Sequence, residues 1–164
     1  MANVISKNKS NKIKVLDYFC SMSKVIAIDY GNKRVGLAVT DELQLIATRL
    51  TTVHSKEVIP FLTEFVITNN VETFVIGKPL NLKGEDTDSS ESVRNFTIHL
   101  KKNFPKINVV EVDERFTSKM ASQVIAKSGM SKKKRQNKGL IDQVSAVIML
   151  QDYLKNKEYK MDRS

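Results

Sequence analysis

The sequence predicts an α/β domain, a mixed five-stranded sheet flanked by helices in the order βββαβαβαα. Three observations predict it. Short apolar runs at 25–28, 73–77 and 107–112 are rich in Val and Ile, as strands covered on both faces are. Stripes of apolar residues at helical spacing lie between and after them. Strands then alternate with helices through the second half, the pattern of a sheet with helices packed on it.

The first strand is Val25–Ile28, in "KVIAIDYGNKRVGLAVTDE", residues 24–42. "YGNKR", 30–34, is a turn centred on Gly31 and Asn32. "VGLAVTD" follows with a period of two. Val35, Leu37 and Val39 share one face, and Gly36 and Ala38 leave the other open for a helix or backbone to approach. A third strand is expected at Arg49–Val53, rich in Thr and Val. Val58, Phe61, Leu62, Phe65 and Val66 form a helical stripe that starts near Val58, because Pro60 is tolerated only in a first turn. "TFVIG" is the fourth strand, and it opens into the polar loop "GKPLNLKGEDTD". Gly77 is expected to permit a tight exit from that strand. Asp88 with Glu91 begins an amphipathic helix bearing Val93, Phe96, Leu100 and Phe104, ending before Pro105. "INVVEVDE", 107–114, is the fifth strand. Thr117 or Ser118 caps a helix with Met120, Val124 and Ile125 on its apolar side, closed by Gly129. "SKKKRQNKG" leads to a last helix from Leu140 to about Leu154. Residues 1–22 are expected as an N-terminal appendage, 23–155 as the domain and 156–164 as a frayed polar tail.

Lysine and arginine number 27 against 18 Asp and Glu, a net charge of +9. That excess favours an anionic partner, nucleic acid before a membrane surface. The single cysteine, Cys20, excludes an intramolecular disulfide and suits a reducing cytoplasm. No apolar run approaches the roughly 20 residues of a membrane-spanning helix.

The acids carry the chemistry. Asp29 follows four apolar residues directly, and a carboxylate there is costly unless it is paired or binds a cation. Asp113 and Glu114 close another strand. Asp142 lies near the start of the last helix, beside its apolar face. Sites form where strands end at their carboxyl side. Like charges brought together there need a cation to stay ionised, and a hard divalent ion with oxygen ligands, one or two of Mg²⁺ or Mn²⁺, suits them. Such an arrangement points to attack of water on a phosphodiester. The basic run Lys132, Lys133, Lys134, Arg135 and Lys138 directly precedes Asp142 and is placed to hold phosphates, as are Lys33 and Arg34 beside Asp29. Lys78 and Arg115 also border the acids. "GKPLNLKG" lacks the spacing of a nucleotide-binding P-loop. His54 and His99 stand alone and are expected at surface or strand-end positions.

"IAIDYGNKRVGLAVTDE", "VIGKPLNLKGE", "VDERFTS" and "GLIDQVSAVIMLQDYL" together resemble the YqgF family of Holliday-junction-resolvase-like proteins, also described as nucleases of pre-16S rRNA. The resemblance runs from about Ser23 to Leu154. It implies an RNase H-like fold, a cytoplasmic role in ribosome biogenesis and an acidic triad at Asp29, Glu114 and Asp142. Asp113 is the substitute for Glu114, since adjacent strand residues face opposite ways. The family often carries Ala where this chain has Ser145, and Leu where it has Phe116. The substrate it implies is an rRNA precursor, with branched DNA second. Resolving a two-fold junction calls for a dimer. No dimer-forming stripe stands out, so a monomer or weak homodimer is expected. The competing readings are a non-catalytic nucleic-acid-binding assembly factor and an actin-like ATPase, which 164 residues are too few to complete.

Overall fold

The apolar run at 25–28 is the middle of strand β1, Lys24–Tyr30. The computed structural model describes residues 22–79, 88–114 and 117–161. Residues 1–21 with Cys20, residues 80–87, which hold most of the polar stretch expected as a loop, Arg115, Phe116 and 162–164 lie outside the described residues. β1 pairs antiparallel with β2, Arg34–Thr40, which pairs antiparallel with β3, Ala47–His54. On its other side β1 runs parallel to β4, Val71–Lys78, and β4 runs parallel to β5, Asn108–Asp113. The strand order is β3-β2-β1-β4-β5. Helix α1, Val58–Thr68, links β3 to β4, and α2, Asp88–Asn103, precedes β5. Then come α3, Thr117–Lys127, a single turn α4, Lys132–Arg135, and the long α5, Lys138–Met161. This is the mixed five-stranded sheet flanked by helices that the sequence predicts.

The two faces of the sheet differ in side-chain size, and the size decides which helix lies where. On one face Ile26, Ile28, Val35, Leu37, Phe74 and Ile76 pack with Val58 and Leu62 of α1 and Val93, Phe96 and Leu100 of α2. On the other, Val25, Ala27, Ala38 and Val75 meet Ala146, Met149 and Leu150 of α5. Small residues on both partners bring α5 close to the sheet, as the spacing of Gly36 and Ala38 led one to expect.

Four elements depart from the sequence reading. β1 does not stop before Asp29; the acid lies within the strand and pairs with Gly36. In α3 the buried stripe is Thr117, Ala121 and Ile125, while Met120 and Val124 are 45% and 54% exposed. α3 packs on α5, and its short Thr and Ala side chains permit that approach better than Met and Val would. The basic run is not a loop throughout, because Lys132–Arg135 closes a helical turn. α5 starts earlier and runs later than expected. Asn137 accepts from Leu140 N at 3.3 Å and caps its start.

Residues 156–161, expected as loose tail, continue α5, and Lys157 is tied down. Its Nζ donates to Gln44 Oε1 at 2.7 Å and to Glu72 Oε1 at 2.9 Å. Ser23 Oγ donates to the other Glu72 oxygen. Burial alone would raise the Glu72 carboxyl, but hydrogen bonds from Ser23, Lys157 and Gln44 and the Lys157 charge hold it below its usual range. A carboxyl with a lowered folded pKa stabilises the fold above its unfolded pKa, and the benefit is lost as pH falls through the folded value. Glu72→Gln is therefore expected to cost about 0.5–1 kcal/mol near neutrality, the range of a screened surface pair. Thermal melts should show that difference close to pH 7 and none below the folded pKa.

Candidate active site

Asp29 lies on the α5 side of the sheet, because residues alternate along a strand and Val25 and Ala27 are buried on that side. Gly36 sits directly opposite it on β2. On β4, Gly77 follows Ile76, the partner of Ile28, so it flanks the end of β1 from the other side. Both glycines make room for another acid. A Cβ on Gly36 would collide with the Asp142 carbonyl and come within 2.8 Å of the Asp142 Cβ. A Cβ on Gly77 would collide with Glu114 Oε2 and stand 3.1 Å from Glu114 Cβ. Gly77 pairs with Val112 inside β4, so the expected role at the strand exit gives way to housing this carboxylate.

The choice between Asp113 and Glu114 follows from the same alternation. Val112 packs in the cluster under α5, which puts Glu114 on that side and Asp113 on the other. Asp113 is exposed, in register with Lys78. The Glu114 backbone is held from both directions. Its N–H donates to Lys78 O at 3.3 Å, and its carbonyl accepts from Thr117 N at 3.1 Å and Thr117 Oγ1 at 2.8 Å. Asp142 is one turn into α5, and its Oδ2 accepts from Arg34 Nε at 2.9 Å.

Burial pushes the Asp29 carboxyl up to about 7, and the charges of Glu114 and then Asp142 push it the same way, against the Ser145 hydroxyl. Burial likewise raises Glu114 to about 7, with Asp113 adding to it. Asp29 thus senses both other acids of the set. Among the described residues, no three carboxylate, imidazole or thiol groups already stand close enough together to ligate one ion. Arg34 is held by Asp142.

Lys33, Lys132, Lys133, Lys134, Arg135 and Lys138 are exposed, Lys78 sits at the end of β4, and Arg115 lies outside the described residues. Lys134 lines a groove of about 490 Å³ with Arg49, Thr51, Asn137 and Gln143. Gln143 Nε2 donates to Thr52 Oγ1 at 3.0 Å, and Thr52 Oγ1 donates to Gly139 O at 2.8 Å, joining edge strand β3 to the start of α5. Arg49 was not marked by the sequence; a lone Arg in a Thr-rich strand gives no signal until the fold puts it in one groove with Lys134. His54 ends β3, where its Nδ1 accepts from Lys56 N at 3.2 Å. No described helix is long and apolar enough to cross a membrane.

The family described as "RuvX: Holliday junction resolvase" matches residues 23–156. A protein of Flavobacterium johnsoniae named "Putative pre-16S rRNA nuclease" is 49% identical over 138 residues, 84% of this chain and 100% of that protein. One of the same name from Parabacteroides distasonis is 45% identical over 140 residues, 85% of this chain and 100% of that protein. Among solved structures, T. thermophilus RuvC in complex with a Holliday junction matches with a TM-score of 0.48 at 15% identity, covering 82% of this chain and 96% of that one. With four motifs in order and a match across almost the whole domain, the chain belongs to the RuvX (YqgF) family of Holliday-junction-resolvase-like nucleases.

Proposed function

We propose that the chain is a metal-dependent endonuclease that hydrolyses phosphodiester bonds of the 16S rRNA precursor, in 5′-end processing during ribosome biogenesis in the cytoplasm. The observation that carries this reading is the pair of glycines beside Asp29, which give Glu114 and the helix segment bearing Asp142 their places next to it. The names of the relatives favour an rRNA precursor over junction DNA. Residues 23–155 form the nuclease domain, acting as a monomer or weak homodimer.

The donor set fits a hard divalent cation, Mg²⁺ or Mn²⁺. It is all carboxylate oxygen, and the raised Asp29 and Glu114 carboxyls are groups whose ionised forms lack a counter-charge. Asp29, Glu114 and Asp142 would hold one or two ions, with Arg34 releasing Asp142. A bound ion supplies an acidic water and a counter-charge for the leaving oxygen. Asp29 is presented from β1, the middle strand of the sheet, paired on both sides, which limits the wander of its oxygens. Lys33, Arg34 once freed, Lys78, Arg115, Lys132, Lys133, Lys134, Arg135 and Lys138 contact substrate phosphates and set register without reading sequence.

The test is an Mn²⁺-dependent cleavage assay on a pre-16S rRNA fragment and a four-way DNA junction. The expected result is cleavage of the RNA by the parent protein and none by Asp142→Asn. Cleavage of the junction alone would move the substrate to branched DNA. Tight RNA binding with no cleavage under any divalent ion would favour the non-catalytic assembly factor.

A further inference from the structure

Ser145 stands out among the residues around Asp29. It follows Asp142 by three positions on α5 and so lies on the same side of the helix. It is 1% exposed, and its Oγ is buried without a hydrogen-bond partner. Buried hydroxyls nearly always find a partner, and one without invites a reason. Packing supplies none. The next residue, Ala146, fills its place against the sheet with a methyl group alone, and an alanine at 145 would pack as well without leaving an orphaned oxygen. Ser145 Oγ is also near enough to favour the charged form of Asp29, although no hydrogen bond is formed between them in the strict sense.

We propose that Ser145 is a positioning residue whose hydroxyl donates to Asp29 once a divalent cation is held, fixing which carboxylate oxygen Asp29 offers to the ion. Groups that hydrogen-bond a metal-binding side chain from behind orient it and raise its basicity. This rests on the reading of Asp29, Glu114 and Asp142 as the cation site.

The experiment is titration of the full chain with Mn²⁺, followed by loss of the free-ion electron paramagnetic resonance signal, alongside thermal melts in chelator. Ser145→Ala is expected to bind Mn²⁺ about ten- to a hundredfold more weakly than the parent. Its melting temperature without metal should equal the parent's or exceed it slightly, since an unpaired buried hydroxyl is removed. Ser145→Ala affinity within twofold of the parent overturns the positioning role. So does a lower metal-free melting temperature with unchanged affinity, which marks the hydroxyl as purely structural. If the parent itself binds no Mn²⁺, the cation site falls and this role falls with it, so the two failures are told apart by the parent titration.

Discussion

Asp29→Asn is expected to abolish cleavage and, without metal, to make the protein more stable. An acid whose folded pKa exceeds its unfolded value costs stability as pH rises from the unfolded toward the folded value, and the full cost is present above both. For Asp29 that window runs from the ordinary carboxyl value of 3.8 to about 7. Asparagine is close in shape and carries no charge. The variant should therefore gain about 1–3 kcal/mol at alkaline pH in chelator, once screening at a partly exposed carboxyl is allowed for. The gain should vanish below the unfolded pKa. Mn²⁺ should then raise the melting temperature of the parent and leave that of the variant unmoved. Activity should fall by more than about a hundredfold, because the charge stabilisation that such a site supplies is worth several kcal/mol. A variant less stable than the parent at alkaline pH would show that Asp29 is paired in a way the carboxylate cluster does not provide.

Gly36→Ala should be the most damaging single methyl in the described chain. The new Cβ would meet the Asp142 backbone, part of a long helix that lies on the sheet through Ala146, Met149 and Leu150. Backbone cannot swing aside as a side chain can, so α5 has to lift from the sheet. The expected loss is about 3 kcal/mol or more, at the upper end of overpacking. Gly77→Ala makes the contrast. Its Cβ would meet the carboxylate end of Glu114, which can rotate away. That variant should lose under about 1.5 kcal/mol and still lose most of its cleavage, because Glu114 leaves the site. Urea unfolding and cleavage, measured on both variants, separate the two. A Gly36→Ala protein within 1 kcal/mol of the parent would mean that α5 yields more easily than its packing implies.

Much of this architecture was legible along the chain because it rests on local chemistry. Alternation of Val35, Leu37 and Val39 with Gly36 and Ala38 reports which face is tight, and no partner need be known to read it. Pro60 dates the start of α1, and Gly129, at φ +71°, marks the end of α3. The outward side of α3 was misread because Met120 and Val124 are apolar, while what α5 tolerates at close range is the small Ala121. The end of α5 was misread because 156–161 is polar, while its anchor is a Lys157 bond to Glu72 and Gln44, 85 and 113 residues away.

For the site, the residues themselves were in the sequence: Asp29, Glu114 and Asp142 stand out as acids against buried runs and in recognisable motifs. Only the fold decided how they stand toward one another. Strand parity turned Glu114 inward and Asp113 out, Arg34 reached across 108 positions to take Asp142, and Ser145 came to rest unpartnered beside Asp29. The division has a physical reason. Period and turn chemistry act between neighbours a few residues apart, so they are written locally. Charge coupling and close approach depend on distances through space, which exist only once β1, β2, β4 and α5 have packed.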